Sequence, residues 1–460
     1  MNPENNAIMK SSPKGEYEKA ELFQGSYRTG RQMRYPVFLL LVILVSAAVF
    51  TACREEDRDE DLLEFGMGHL LNNTELQAFG EKLFFDSNLS TPSGQACATC
   101  HGPEAGWSGP DSEINAKGAV YEGAVKGRFS NRKPPSAAYA TYSPVFSAML
   151  EEGELLFVGG NFWDGRATGY LLGNAAADQA QQPFLNPVEQ NISDEKGVVE
   201  KVLNSDYSDL YHKIAGDIWN IDDIASCEDL NMQFGIIGLA LAAFEHSDRV
   251  NAFTSKYDYY LRGKVRLNPQ EEKGMDLFRN KGLCAECHPM DILEDGTPPL
   301  FTDFTYDNLG MPANPDNPWY SMDKSFNSEG SEYRDPGLGG FLKQLPHYAM
   351  FAEGSLGMHK VPTLRNVDKR PSPDFVKGYG HNGYFKSLEE IVHFYNTRDV
   401  LPLADEVDDP IPGINCWPEP EIAQNINLDE LGDLGLTAEE EDAIVAFMKT
   451  LSDGYELPGN

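Results

Sequence analysis

The chain has 460 residues, a formal net charge of −35 at pH 7 and 41% hydrophobic residues. That length suggests two domains with sizeable cores. The acidic charge excludes nucleic acid, whose phosphates would be repelled, and suits either a small basic protein partner or simply a soluble surface.

Val37 to Phe50 is a continuous apolar run followed by Thr51-Ala52-Cys53. It is short for a membrane helix and suits the core of an export signal, with Met33-Arg34 as a conventional basic start. Cys53 stands where a bacterial lipoprotein signal is cut and lipidated, although Phe50 holds the position usually taken by Leu. Plain cleavage and a lipid anchor through Cys53 both stay open, with a single-pass anchor as a third outcome. Residues 1–53 are read as this export segment, which places the protein in the periplasm, free or as an anchored lipoprotein. Residues 54–70 form a charged, solvated tether.

The first globular unit starts near Leu71. Asn73-Thr74-Glu75 caps a helix through Phe85, with Leu76, Phe79, Leu83 and Phe84 at helical spacing. Gly235 to Phe244 is an apolar helical stretch that closes this unit, and the join falls around 246–266. Asn268-Pro269 opens a second helix, with Pro at a first-turn position. Gly274-Met275-Asp276-Leu277-Phe278 echoes Gly80-Glu81-Lys82-Leu83-Phe84. Thr437-Ala438-Glu439-Glu440 caps a last helix through Ile444 and Phe447. Segments 102–135 and 289–345 are rich in Gly, Pro, Asp and Asn and read as long loops. Strand signals are few. The expected fold is mainly α, with two cytochrome c-like haem domains at 71–250 and 251–460.

Each unit carries one Cys-x-x-Cys-His: Cys97-Ala98-Thr99-Cys100-His101, and Cys284-Ala285-Glu286-Cys287-His288. In this pentapeptide two thiols can form thioethers with haem vinyl groups, and the adjacent His reaches the iron. The rival is a four-thiolate zinc site, which needs the two pairs to converge and neither His. Haem makes Cys97, Cys100, Cys284 and Cys287 attachment residues, and His101 and His288 iron ligands. Cys227 and Cys416 remain, either paired in an oxidising compartment or as two separate buried thiols.

Further motifs follow in order: Phe162-Trp163-Asp164-Gly165-Arg166-Ala167; Gln179, Pro183, Asn186-Pro187 and Glu189; Val361-Pro362-Thr363-Leu364-Arg365-Asn366-Val367; His381-Asn382-Gly383; and Phe394-Tyr395-Asn396. With the two pentapeptides, they make the chain from about Leu71 to Leu451 resemble the bacterial di-haem cytochrome c peroxidase family, which includes MauG. The resemblance implies that the His101 haem is the peroxide site and that the His288 haem relays electrons. It implies Glu189 as acid–base group, Gln179 and Pro183 as pocket-shaping residues, and Trp163 as the relay between the haems. Many family members block the peroxide iron with a His from the loop after the first motif. Here no His occurs between His101 and His212, so a permanently open site is expected. Met149 could fill the position, but is expected in the core.

For the second ligand of the His288 haem, ordinary peroxidases place Met at the position held here by Tyr395, and MauG-like members place Tyr. Tyr395 is therefore the candidate iron ligand, with Met358 or His359 as alternatives if it is an ordinary helix residue. The family also binds calcium between the domains; Asn131 is the candidate ligand, with backbone ligands near Arg370. His212, His246, His347 and His393 are read as structural or surface residues. For Glu189 the rival reading is a turn that merely starts a helix; for Trp163 it is a core aromatic.

The expected function is reduction of hydrogen peroxide by two covalently bound c-type haems, with electrons from a small cytochrome or other basic donor. One alternative is a MauG-like enzyme that uses peroxide-derived high-valent haem to oxidise Trp or Tyr of a partner protein. A second is a non-catalytic electron-transfer module.

Overall fold

A computed structural model describes residues 66–151 and 154–458. The export segment, Cys53 and most of the tether lie outside the described residues. Among the described residues, no helix is long and apolar enough to cross a membrane.

The architecture is mainly helical. Helix α1, Thr74–Phe85, starts where Asn73 Oδ1 accepts from the amides of Glu75 and Leu76 at 3.0 and 2.9 Å. Helix α2, Ala175–Leu185, ends at Asn186, and the long apolar helix α3 spans Leu230–His246. Helix α4, Pro269–Arg279, opens with the Asn268–Glu271 capping box and Pro at its first turn. Helix α5 is Leu388–Thr397; α6 is Ala438–Lys449, capped by Thr437 and Glu440. All the helices expected from capping signals form.

The short echo in the sequence has a packing cause. Gly80 of α1 lies against α3, where an added Cβ would sit 1.8 Å from the Ala240 carbonyl oxygen. Gly274 of α4 lies against α6, where a Cβ would sit 1.8 Å from the Ala443 carbonyl oxygen. Only a glycine lets each helix pair approach this closely. Beside each crossing a Phe pair closes the contact, Phe84 with Phe244 at 5.2 Å and Phe278 with Phe447 at 5.3 Å. The two halves thus repeat one construction. One apolar core gathers around α1, α2 and α3, and another around α4, α5 and α6.

The Val361 to Val367 motif staples the halves together. Arg365 is 1% exposed and makes a bidentate pair with Asp258 at 3.0 and 3.1 Å. Its guanidinium also lies 5.0 Å from the Tyr139 ring of the first half. A charge buried this completely is retained only because its donors are met; Nε takes the Pro299 carbonyl at 2.7 Å.

Strands are few among the described residues, as expected, and they are short. Hairpin β1 (Ser147–Glu151) and β2 (Glu154–Val158) pairs antiparallel with Met149 opposite Leu156. Strand β3 (Tyr306–Asp307) pairs with β4 (His359–Lys360). The hairpin was not expected, and it corrects one reading: Met149 is 46% exposed on β1, not in the core. Met149 faces solvent because only alternate residues of the hairpin reach the aromatic cluster of Phe146, Phe157 and Tyr306. The loop at 289–345 likewise contains a helical turn at Gly337–Leu342. Cys416 is a fully buried free thiol, so the Cys227–Cys416 bridge does not form.

Candidate functional site

Both Cys-x-x-Cys segments fold as single helical turns, Cys97–Cys100 and Cys284–Cys287, with the His as the following residue. This brings both thiols and the imidazole of one motif to one cavity. Cys97, Cys100 and His101 line a cavity of about 190 Å³, and Cys284, Cys287 and His288 line another of about 210 Å³. The two thiol pairs therefore serve separate cavities, and a shared four-thiolate zinc site is excluded.

The imidazoles are oriented in the same way. His101 Nδ1 lies 3.3 Å from the Trp107 carbonyl oxygen, and His288 Nδ1 lies 2.8 Å from that of Phe301. Both acceptor residues hold a left-handed backbone, φ 59° and 53°, costly for bulky side chains and typical of sites where geometry matters. With Nδ1 donating to a carbonyl, Nε2 is left as the ligating atom. Burial pushes both histidines down to about 4, which keeps them neutral and able to bind iron.

The first cavity gathers Glu189, Gln179 and Pro183 with His101. Gln179 and Pro183 stand one turn apart on α2. Glu189 follows in a tight turn where its amide donates to the Asn186 carbonyl at 3.0 Å. The Asn186-Pro187 segment thus ends a helix and does not start one. Burial raises the Glu189 carboxyl, opposed by Arg166 and by hydrogen bonds from Asn186 and Ser130. Arg166 was not singled out from the sequence, although its motif was; its guanidinium stacks 3.7 Å from the Phe162 ring and pairs with Asp164 at 3.0 Å. Glu245 of α3 was also missed, since it is hidden in an apolar run. Burial pushes it up to about 8, and its Oε2 has no partner.

Among the described residues lining this cavity, His101 is the sole imidazole and no Met occurs. His246 is occupied elsewhere, its Nδ1 lying 2.9 Å from Thr141 Oγ1; His212 pairs with Asp223 and His393 with Glu441.

Trp163 is 8% exposed and lines both cavities. Its Nε1 donates to the Lys133 carbonyl at 2.8 Å, and its own carbonyl accepts from the Lys360 amide at 2.8 Å. Lys133 and Lys360 also line both cavities. Neither makes an ion pair among the described residues; burial pushes Lys133 down to about 8 and Lys360 to about 7. Buried amines without carboxylate partners suit the two carboxylates that each haem carries. Unpartnered polar atoms of Gln95, Gln190 and Glu245 in the first cavity point the same way. The residues fit two haems.

In the second cavity Tyr395 of α5 is a lining residue together with His288 and both thiols. Burial, then Cys287 and Asp307, raise its phenol; a bound metal cation reverses that preference. Met358 does not line this cavity and packs in the hairpin cluster. His359 does line it, but its ring is stacked 3.6 Å from that of His381, and its Nδ1 is 3.0 Å from the Gly357 carbonyl. Met311, missed in the sequence, also lines it.

Two similar halves, each presenting thiols and an imidazole to its own cavity around a shared tryptophan, define a di-haem oxidoreductase. The comparisons agree. Residues 74–266 match the model of the family described as di-haem cytochrome c peroxidase. The methylamine utilization protein MauG of Paracoccus denitrificans is 32% identical over 387 residues, covering 82% of this chain and 88% of that protein. The cytochrome c551 peroxidase of Pseudomonas aeruginosa is 31% identical over 215 residues, covering 45% of this chain and 49% of that protein. The solved diheme peroxidase BthA of Burkholderia thailandensis superposes with a TM-score of 0.66 at 28% identity, over 83% of this chain and 86% of that one. The chain belongs to the di-haem cytochrome c peroxidase family, whose members are haem peroxidase-type oxidoreductases with c-type haems.

Proposed function

We propose that this protein reduces hydrogen peroxide to water at the His101 haem, with 71–250 as the peroxide domain and 251–460 as the electron-transfer domain. The observation that carries this reading is the convergence of Glu189, Gln179, Pro183 and Arg166 on the His101 cavity, with no second imidazole or thioether among its described lining residues. An iron site left open in this way needs no reductive release of a blocking ligand.

Bound at His101, haem would supply the iron that takes peroxide and passes electrons to it. The chain supplies the proton handling. Glu189 takes the proton from the inner peroxide oxygen and returns it to the outer one, so that water leaves. Arg166 opposes the negative charge that builds on the departing oxygen. Pro183 and Gln179 shape the pocket, and Lys133 and Lys360 would hold haem carboxylates. Trp163, clamped by the backbones of those two lysines, is the relay between the sites. His288 would hold the second haem, which would take electrons from a small cytochrome or similar basic donor that the −35 charge would attract. We assign the protein to the periplasm, exported through residues 1–53 and either free or held by lipid at Cys53.

A second reading keeps both haems and changes the substrate: oxidation of Trp or Tyr on a partner protein. Tyr395 in the second cavity and the likeness to MauG favour it. Steady-state assay of the holoprotein with peroxide and reduced cytochrome c separates the two. Turnover within about 1–10³ s⁻¹ is expected for the first reading. Negligible donor oxidation together with a persistent peroxide-oxidised state would replace it with the second.

A further inference from the structure

Buried ammonium groups stand at the join of the two halves where a bound cation would be sought. Lys377 is 7% exposed. Its Nζ donates to the carbonyls of Ala105 at 2.8 Å, Lys369 at 2.8 Å and Asn366 at 3.2 Å. Ala105 belongs to the first half, in the turn just after His101; Asn366 and Lys369 belong to the second. Carbonyl oxygens converging on one positive charge are what a hard cation recruits. A neutral amine has only two N–H groups, so three carbonyl acceptors call for –NH₃⁺. Burial first, then neighbouring Lys133, push the amine down to about 7, opposed by the Asp368 carboxylate. Lys386 repeats the device, its Nζ donating to the carbonyls of Asn115 at 3.0 Å, Gly383 at 2.6 Å and Lys117.

The family resemblance implies a calcium ion between the halves, and the residues do not fit one. Asn131 Nδ2 donates to the Tyr333 hydroxyl at 2.8 Å, and the Asn131 backbone carbonyl accepts from Asn317 Nδ2 at 2.8 Å. Arg370 turns its guanidinium to Asp368 and the Phe375 carbonyl. A dication near those backbone carbonyls would face Lys377 together with Lys133, Lys369 and Arg370, each of which already acts on Lys377, against the opposing carboxylate of Asp368.

We propose that Lys377 supplies from within the chain the charge that an interdomain cation would otherwise bring, and thereby positions the His101 loop without calcium. The link to the haem is short. Ala105 precedes by two residues Trp107, whose carbonyl takes the His101 Nδ1 hydrogen and whose amide donates to Gly102 at 2.8 Å. Holding Ala105 against the second half fixes that carbonyl, and with it the imidazole plane. Lys377 is a positioning residue in this sense.

The test uses the di-haem holoprotein, with calcium chloride as the probe. Calorimetric titration of the chelator-treated wild type should show no calcium binding, and the chelator should leave optical spectra and melting temperature unchanged. Lys377→Met should lower the apparent melting temperature by roughly 5 °C or more, since three buried carbonyls lose their donor. It should also shift the spin-resonance signal of the His101 haem and leave that of the His288 haem in place. One calcium per chain, removed by chelator with altered spectra, would overturn the proposal. So would a Met variant with wild-type melting and wild-type signals. If the variant does not fold, the calcium titration alone decides.

Discussion

Glutamine in place of Glu189 is expected to lower peroxide turnover by roughly 10²–10⁴-fold, with haem content unchanged. The amide keeps the size of the side chain and can still meet Ser130 and Asn186, but it cannot take a proton from peroxide. The wild type should carry a matching pH signature. Burial raises the Glu189 carboxyl above the usual carboxylate range, and only its ionised form is a base. Activity should therefore rise with pH through that raised value and fall as the pH drops below it. The glutamine variant should lose this limb. Steady-state rates of both proteins across acid to neutral pH check the point. A glutamine variant of near wild-type rate, with the acid limb intact, would move the proton transfer elsewhere; Glu245, the other buried carboxyl of the cavity, would be examined next.

Tyr395→Phe is expected to produce the second large effect, on the other haem. A phenolate ligand favours the more oxidised states of iron, whereas a thioether favours the reduced state. Removing the hydroxyl should change the optical and spin-resonance signals of the His288 haem, and the persistence of its oxidised state after peroxide. The His101 haem should keep its signals. Tyr395→Met should raise the reduction potential of the second site relative to the wild type. An unaltered second-haem spectrum in the Phe variant would remove Tyr395 as ligand and leave Met311 or His359, which line the same cavity.

How much of this was legible in the sequence depended on whether the cause was local. The helix starts were visible at Asn73, Asn268 and Thr437 because a cap is a feature of neighbouring residues. The Gly80 and Gly274 echo was visible as a repeat; its cause, the contact of each glycine with a carbonyl on a distant helix, was not. The thiol pairs, Glu189 and Trp163 lay in ordered motifs, and the structure brings each to a cavity with its expected companions. Arg166 and Glu245 escaped because nothing in their local context distinguishes a charged residue that turns inward. Lys133, Lys360 and Lys377 escaped for a similar reason. Their meaning lies in which carbonyls or cavities meet them, and those partners are up to 272 positions away, as with Lys377 and Ala105. Met149 went the other way: an apolar residue expected in the core lies exposed on a strand that the sequence pattern did not announce.

The most direct test of the central claim is the intact mass of the mature protein under denaturing conditions, made in a host that matures c-type haems. The account predicts the polypeptide plus two haems, falling to one haem when Cys97 and Cys100 are both changed to Ser. The same fall to one is predicted when Cys284 and Cys287 are changed instead. A polypeptide mass without haem, or loss of both haems with either pair as though they shared one site, would contradict it.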